Sequence, residues 1–503
     1  MTVCLIIPPS IFLLDERVFM TLGILKVAAV LEQGGIEVQM LDLSGIENYE
    51  DVVRDHAAAT DAKAFGLTAT TPQMPAVANI QRLLRTVRPD ARLVLGGPHV
   101  TLVHTAAKLE RAEGRRGRAA KALGDLSALF DVLVAGDGEE AVFLALADDA
   151  PGLIDADDPK SGLFLTNARL TELPLPARHL VDVDSYRYTI NGVRALSLIA
   201  QLGCPFACGF CGGRESPSLR RVRMRTTESV VGEIVALHRT YGVTGFMLYD
   251  DELNVNPKMI ELMNAIERAQ RGLRTEFRLR GFIKAQLFTD AQAEAMYRAG
   301  FRWILTGFES GSPRILENIN KKATREENTL CVEIARRHGL KVKALMSIGH
   351  PGESEATILD THRWLLDAKP DDFDVTIITT YPGTPYYDQA VLHPTKPGVW
   401  TYTYAKTGDR LYAFEVDYMR VADYYKGDPD GGYQSFVYTE ALSPDDLVRL
   451  RDFVERDVRK RLGIPFNPAA PAVRYEHSMG QFGGALPRTI LRTTRGTSQP
   501  RPV

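Results

Sequence analysis

Cys204, Cys208 and Cys211 stand in the stretch Gly203-Cys-Pro-Phe-Ala-Cys-Gly-Phe-Cys-Gly-Gly213, and the whole chain has only five cysteines. Thiolates crowded into one loop bind soft metal centres, above all zinc or an iron–sulfur cluster. Structural zinc needs a fourth ligand; His179 and His238 are the nearest histidines in sequence, and neither lies at finger-like spacing. A cubane of four irons takes four protein ligands when it is only structural. Three cysteines leave one iron free to bind something else.

The loop must be held by the elements on either side. Ala195–Ala200 before it is an apolar, strand-like run, and 227–241 after it reads as a helix. That is the strand–loop–helix order of an α/β barrel, whose chemistry sits where strands end. Phe210 precedes the last cysteine, and the pattern CxxxCx-aromatic-C resembles the signature of the radical S-adenosylmethionine (SAM) superfamily. The resemblance implies a 4Fe–4S cluster on the three cysteines, with Phe210 beside SAM. The free iron would bind SAM's amino and carboxylate groups, and an electron from the cluster would cleave it to a 5′-deoxyadenosyl radical.

Strand–helix units recur through the barrel region. After the cluster strand come 245–249, 276–280, 303–307, 343–348 and 374–379, with helices at 257–270, 290–298, 325–338 and 354–368. Six units predict a partial rather than a closed barrel. Polar residues just past each strand are the next candidates. Asp250-Asp251-Glu252 follow the second strand; three adjacent carboxylates call for a cation or solvent. In the resembled family this position helps hold the SAM ammonium. Acids capping a helix N-terminus are the plainer alternative. Gly307-Phe-Glu-Ser-Gly-Ser312 is similar to a family phrase that lies near SAM, which implicates Glu309 and Ser310. Ser347-Ile-Gly-His-Pro-Gly-Glu-Ser354 is similar to the phrase that packs on adenine, which adds Ser347. His350 and Tyr381 are candidates for the substrate mouth, or for satisfied residues behind it.

Residues 1–150 also alternate strand with helix: strands at 3–7, 37–41, 64–68, 92–95 and 132–135, helices at 21–33 and 75–87, and a charged helical insertion at 104–128. A doubly wound parallel sheet follows, which binds ligands at the C-terminal ends of its strands. Four phrases resemble the cobalamin-binding domain that precedes many radical SAM cores. They are Thr21-Leu-Gly-Ile-Leu-Lys-Val-Ala-Ala-Val-Leu-Glu-Gln-Gly34, Gly66-Leu-Thr-Ala-Thr70, Leu95-Gly-Gly-Pro-His99 and Gly136-Asp-Gly-Glu139. They implicate Thr68, Thr70, Gly96, Gly97, Gly136, Gly138 and Glu139 in holding cobalamin. The DxHxxG motif that supplies a lower cobalt ligand in many such domains is missing. Asp15-Glu-Arg-Val-Phe-Met20 has no histidine, and His99 is expected to pack or hydrogen-bond.

The fold expected is therefore α/β: an N-terminal doubly wound, Rossmann-like parallel sheet (1–150), a linker (151–190), a partial (β/α)6 TIM-type barrel (191–390), and a mainly helical, aromatic-rich C-terminal extension (391–503). That extension should hold a helix from Ser443 to about Arg461 and a frayed tail from Arg488. The chain of 503 residues has a formal net charge of −3. No overall basic field points to nucleic acid, and no apolar run is long enough for a membrane span. Few cysteines, grouped for metal, suit a cytoplasmic setting.

The resemblance implies a cobalamin-dependent radical SAM enzyme, foremost a C-methyltransferase that acts on an unactivated carbon of a small natural-product or lipid intermediate. It would use an electron donor such as flavodoxin or ferredoxin. Ring-forming or ring-rearranging radical chemistry without methyl transfer is the alternative, and a non-catalytic iron–sulfur or cobalamin protein the third.

Overall fold

The computed structural model describes residues 1–11, 13, 15–115, 117–425, 432–465 and 491–493. Its first layer is a parallel sheet of β1 (Thr2–Ile7), β2 (Glu37–Asp42), β3 (Ala64–Thr68), β4 (Arg92–Gly96), β5 (Val132–Gly136) and β6 (Leu153–Ala156) in the order 2-1-3-4-5-6. All six residues of β1 are buried, the mark of a central strand covered on both faces. The covers are α1 (Leu22–Gln33), α2 (Tyr49–Ala59), α3 (Met74–Val87), α4 (Pro98–Ala112), α5 (Arg118–Leu129) and α6 (Gly138–Leu146). The order reverses between β1 and β3, so the ligand crevice of this layer lies at their C-terminal ends.

Two expectations change here. The charged insertion at 104–128 resolves into the end of α4 and most of α5, and α4 is a regular crossover helix whose Val100, Val103, Ala106 and Ala107 are buried. The linker is more than a linker: Leu153–Ala156 pairs in parallel with β5 and extends the first sheet. With only four residues, between Pro151-Gly152 and Asp157-Asp158, it is too short to show a period in sequence.

The second layer opens with a hairpin, β7 (Thr189–Ile190) to β8 (Val193–Leu198), turning at Asn191-Gly192. A small antiparallel pair, β9 (Gln201–Leu202) with β10 (Arg223–Met224), ties the two ends of the cysteine loop together. The curled parallel sheet continues with β11 (Gly245–Leu248), β12 (Arg278–Phe282), β13 (Phe301–Glu309), β14 (Lys341–Ile348) and β15 (Asp372–Ile377). Its order is 15-14-13-12-11-8-7, a six-unit partial barrel with the β7 edge added. One apolar core runs through both layers: Leu22 and Leu25 of α1 share it with Leu196 and Leu198 of β8 and with Ile234 and Leu237 of the helix Thr227–Tyr241. The two layers bury a common interface.

The C-terminal region departs from the mainly helical expectation. Its tyrosines build a four-stranded antiparallel sheet of β16 (Val391–Leu392), β17 (Val399–Thr403), β18 (Arg410–Phe414) and β19 (Val437–Tyr438). Tyr412 and Tyr438 stack across it with ring centroids 4.8 Å apart. The expected helix follows as Pro444–Leu462, with Ser443 and Asp446 forming a capping box. It closes the barrel's open side: Arg451 Nε donates to the Val375 carbonyl, and Arg459 bridges Asp372 and Glu455. The frayed tail expected from Arg488 lies outside the described residues except for Leu491–Thr493, which pairs antiparallel with β2.

Candidate functional site

The cysteine loop leaves β9 at Gly203, whose φ is +87° and whose added Cβ would lie 2.2 Å from the Arg221 carbonyl oxygen, so only glycine fits. The loop is then pinned from several sides. Cys204 N donates to the Leu219 carbonyl at 3.0 Å, Gly209 N to Ile319 at 2.7 Å and Gly213 N to Gly383 at 2.9 Å. Cys211 is exposed, Cys204 partly so and Cys208 buried. Yet burial pushes the Cys211 thiol up to about 12 and Cys204 up to about 11, with neighbouring thiols and carboxylates adding to it. Such thiols become thiolates only beside a cation. Among the described residues, no three His, Cys, Asp or Glu side chains close tightly enough on one point to hold a single ion. Three thiols in one loop are the donor set that a cubane with one open iron would take.

The three strand-end acids divide. Asp250 is buried and its Oδ1 accepts from Ala200 N and Gln201 N, clamping the end of β8; burial pushes its carboxyl up to about 7. Asp251 Oδ2 accepts from Gly203 N at 3.0 Å, at the loop's first turn. Glu252 is held up at about 7 by burial, against the pull of Lys321 and Lys284. These two lysines are the residues that sequence reading missed. Lys284 is buried, with Nζ 4.3 Å from the Phe206 ring centroid inside the cysteine loop. Lys321 Nζ donates to Glu309 Oε1 at 2.8 Å. The adjacent pair Lys321-Lys322, close behind the Gly307–Ser312 phrase, was the only signal in the chain that could have pointed there.

Glu309 ends β13 with φ +65°, at a register shift against β14. A non-glycine residue in that region is strained and needs firm support. Lys321 holds one carboxylate oxygen and Ser347 Oγ donates to the other at 2.8 Å. Burial alone would raise this carboxyl, but Lys321, Ser347 and His350 together outweigh it and hold it below the ordinary carboxylate range. Ser310 turns away toward Thr361, with the hydroxyl oxygens 3.1 Å apart. His350 is fully enclosed, not on an open mouth. Its Nε2 meets Ser347 Oγ at 2.8 Å, its Nδ1 meets the Tyr386 hydroxyl at 3.3 Å, and burial lowers its pKa to about 4. Phe210 lies against the His350 ring, 5.4 Å between centroids, and against Ile315, Leu316 and Ile319. Tyr381 packs on Gly212 of the cysteine loop, and burial raises its hydroxyl strongly.

The first sheet meets this loop through Leu102 of α4, which lies against Gly212. Thr68 and Gly96 end β3 and β4, and Gly97 opens α4. Gly136 ends β5, while Gly138 and Glu139 begin α6. Small residues along this edge let the backbone approach a bulky flat ligand. Thr70 is exposed and caps the turn 71–73, and Glu139 lies near Lys26 with its carboxyl raised by burial. His99 hydrogen-bonds Thr71 Oγ through Nδ1 at 3.0 Å, as expected of a packing residue, and burial lowers its pKa to about 3. The loop that lacks the histidine does something else. Arg17, fully buried, pairs with Asp42 at 3.0 Å and bonds Ser44 and Ser185. Val18 then packs with Tyr188, Met247 and Leu305, and Phe19 lies 4.8 Å from the Tyr188 ring and 5.0 Å from Tyr249. A first-sheet loop thus lines the barrel.

Comparison with known proteins agrees with this layout. The model of the radical SAM superfamily matches residues 198–365, and that of the B12 binding domain matches residues 16–127. An uncharacterized methyltransferase of Pyrococcus horikoshii is 27% identical over 411 residues, covering 78% of this chain and 83% of that protein. An anaerobic magnesium-protoporphyrin IX monomethyl ester cyclase of Cereibacter sphaeroides is 28% identical over 338 residues, 64% of this chain and 52% of the cyclase. The chain thus spans about half the length of that cyclase. Among solved structures, the radical SAM methyltransferase TsrM of Kitasatospora setae, with cobalamin and a 4Fe–4S cluster bound, aligns with a TM-score of 0.66 at 19% identity over 90% of each chain. It also aligns with a TM-score of 0.63 at 20% identity, over 93% of this chain and 89% of that one, when holding tryptophan and a SAM analogue. At that identity the likeness establishes the fold. The two matched domains imply a 4Fe–4S cluster with SAM at the barrel and cobalamin at the first sheet. No helix among the described residues is long and apolar enough to cross a membrane. Residues 198–365 thus match a radical SAM domain and residues 16–127 a B12-binding domain ahead of it, on a fold shared with the aligned methyltransferase.

Proposed function

We propose that this enzyme is a cobalamin-dependent radical SAM methyltransferase that places a methyl group on an unactivated carbon of a small molecule. The observation that carries the reading is the contact of the first sheet's flank with the cysteine loop: Leu102 of α4, the helix that follows β4, lies against Gly212 beside Cys211 and against Gly383 at the barrel end. When bound, the cluster supplies the electron that cleaves SAM, and cobalamin supplies a methyl carrier. The chain's own residues do the rest. The three thiols would hold the cluster and leave one iron for SAM. Asp251 and Glu252, next to the loop, would take the SAM ammonium, while Lys321 and Lys284 would offset the thiolates' charge. Glu309, fixed by Lys321 and Ser347, receives the ribose hydroxyls as a hydrogen-bond acceptor. Asp250 and Ser310 brace the strand ends. Tyr249 exposes 38% of its surface, yet burial pushes its hydroxyl up to about 12. With Phe19 and Phe282, whose ring centroids lie 5.0 Å and 6.2 Å away, it would shield a reactive carbon from water.

The relatives support the substrate class in outline. The aligned TsrM structure holds tryptophan, a small aromatic molecule. The cyclase similarity favours a second reading, radical ring formation without methyl transfer. Anaerobic reconstitution with iron, sulfide and hydroxocobalamin tests both. Methylation predicts 5′-deoxyadenosine and S-adenosylhomocysteine together, given a small electron donor such as flavodoxin or ferredoxin. Deoxyadenosine alone supports the cyclase reading, and neither product refutes both.

A further inference from the structure

The return limb of the cysteine loop is fastened to the first sheet by buried carboxylates that no part of the functional reading uses. Asp157 follows β6 directly and is 1% exposed. Its Oδ1 accepts from Ser216 Oγ at 2.7 Å, from Ser218 N at 2.8 Å and from Ser218 Oγ at 2.5 Å; its Oδ2 accepts from Thr105 Oγ of α4 at 3.2 Å. Four donors on one buried carboxylate, three of them from the loop, fix its position in every direction. A second carboxylate repeats the arrangement one strand over. Asp137, inside the phrase Gly136–Glu139, accepts from Arg223 and from Leu165 N, and Arg223 donates in turn to the Ser218 carbonyl at 2.7 Å. Both anchors converge on Ser218. Gly136 is held in the same place: its N–H donates to Thr101 Oγ on α4, and a Cβ there would lie 2.3 Å from Asp157 N. The ends of β5 and β6, helix α4 and the loop's return limb are one hydrogen-bonded body.

We propose that Asp157 is a positioning residue that sets the distance between the cluster and the cobalamin edge, with the Asp137–Arg223 pair as its second point of attachment. This rests on the functional reading above. If methyl groups and electrons must pass between the two sites, an ångström of slack matters more to transfer between them than to SAM cleavage at the cluster alone.

Asp157→Asn keeps the size but presents an amide N–H₂ to at least one donor. The parent and the variant are loaded with cluster and cobalamin and compared in two ways. The first is the relaxation of the cob(II)alamin EPR signal by the reduced cluster, which reports their separation. The second is S-adenosylhomocysteine formed per 5′-deoxyadenosine. The expected result is a broadened distribution of separations, with the product ratio lowered by roughly tenfold to a hundredfold while deoxyadenosine formation stays within about twofold of the parent. Ser218→Ala deletes a single hydroxyl and tests the same claim if Asp157→Asn does not load; it should shift both readouts in the same direction by less. Loaded variants that match the parent in spectrum and ratio overturn the proposal. A parent that takes up no cobalamin or cleaves no SAM overturns the functional reading instead.

Discussion

The two strand-end crevices are built from opposite materials. The first sheet's edge offers Thr68, Gly96, Gly97 and Gly136, small or neutral groups that define a shape, while its acids Asp137 and Asp157 are already taken up by Arg223, Leu165, Thr105, Ser216 and Ser218. The barrel ends its strands in Asp251, Glu252 and Glu309, faced by Lys284 and Lys321, most of them buried. A large ligand whose bulk is carbon and amide is held by area and fit. A small zwitterionic cation next to a charged cluster is held by placed charges in a low dielectric. Damage to the barrel end should therefore be electrostatic and severe, and damage to the sheet end steric and graded.

The sharpest separation of the two comes from Cys208→Ala. It should abolish SAM cleavage and lower the iron bound per chain, while cobalamin uptake, followed by absorbance, matches the parent. Next in size is Glu309→Gln, which leaves the Lys321 ammonium buried without its partner. Breaking a buried pair in this way costs about 3–5 kcal/mol, read as a lower urea midpoint, and SAM cleavage should fall with it. The pH dependence has a definite sign. Lys321, Ser347 and His350 together hold the Glu309 carboxyl below the ordinary range, so its contribution is complete above that range and is lost as pH falls through the folded value. The stability gap between parent and Gln variant should narrow in acid. A gap that stays constant down to the acid transition would mean that the pair is not the source.

The same contrast explains what could be read from the chain without coordinates. Cysteine spacing, strand-end acids and glycine phrases are local patterns, and the six barrel strands and the helix 227–241 carry clear periods. Lys284 gave no local sign, because its partners arrive from the loops at 206 and 321. Asp157 was equally silent: its donors stand 52, 59 and 61 residues away, and it looks like any acid in a loop. The tyrosine-rich stretch read as a covering because β16 and β19 have two residues each, too few to alternate. His350 was left open between the substrate mouth and a satisfied residue behind it, and packing decides: Ser347, Phe210 and Tyr386 enclose it.

On the sheet side, Gly136→Ala is the corresponding steric test. The residue sits at φ +89°, and a Cβ there meets backbone, Asp157 N at 2.3 Å, which cannot move aside as a side-chain tip would. Left-handed backbone at a non-glycine residue costs about 1–2 kcal/mol before any clash. Cobalamin affinity should drop measurably by titration, while iron content stays at the parent value. Equal loss of both cofactors would show that the two crevices do not fail independently.

The mildest test addresses the one place where a first-sheet loop enters the barrel. Phe19→Leu keeps an apolar side chain between Val18 and Met20 but removes the ring contacts at 4.8 Å to Tyr188 and 5.0 Å to Tyr249. Aromatic pairs of this kind contribute about 0.5–1.5 kcal/mol beyond their buried area, so the urea midpoint should move slightly. Arg17 anchors the loop independently through Asp42, Ser44 and Ser185, so the backbone should hold its course and both cofactors should load normally. A cobalamin loss as large as that of Gly136→Ala would place Phe19 in the sheet's shape-defining edge, and the division between a charged barrel end and a fitted sheet end would have to be redrawn around this loop.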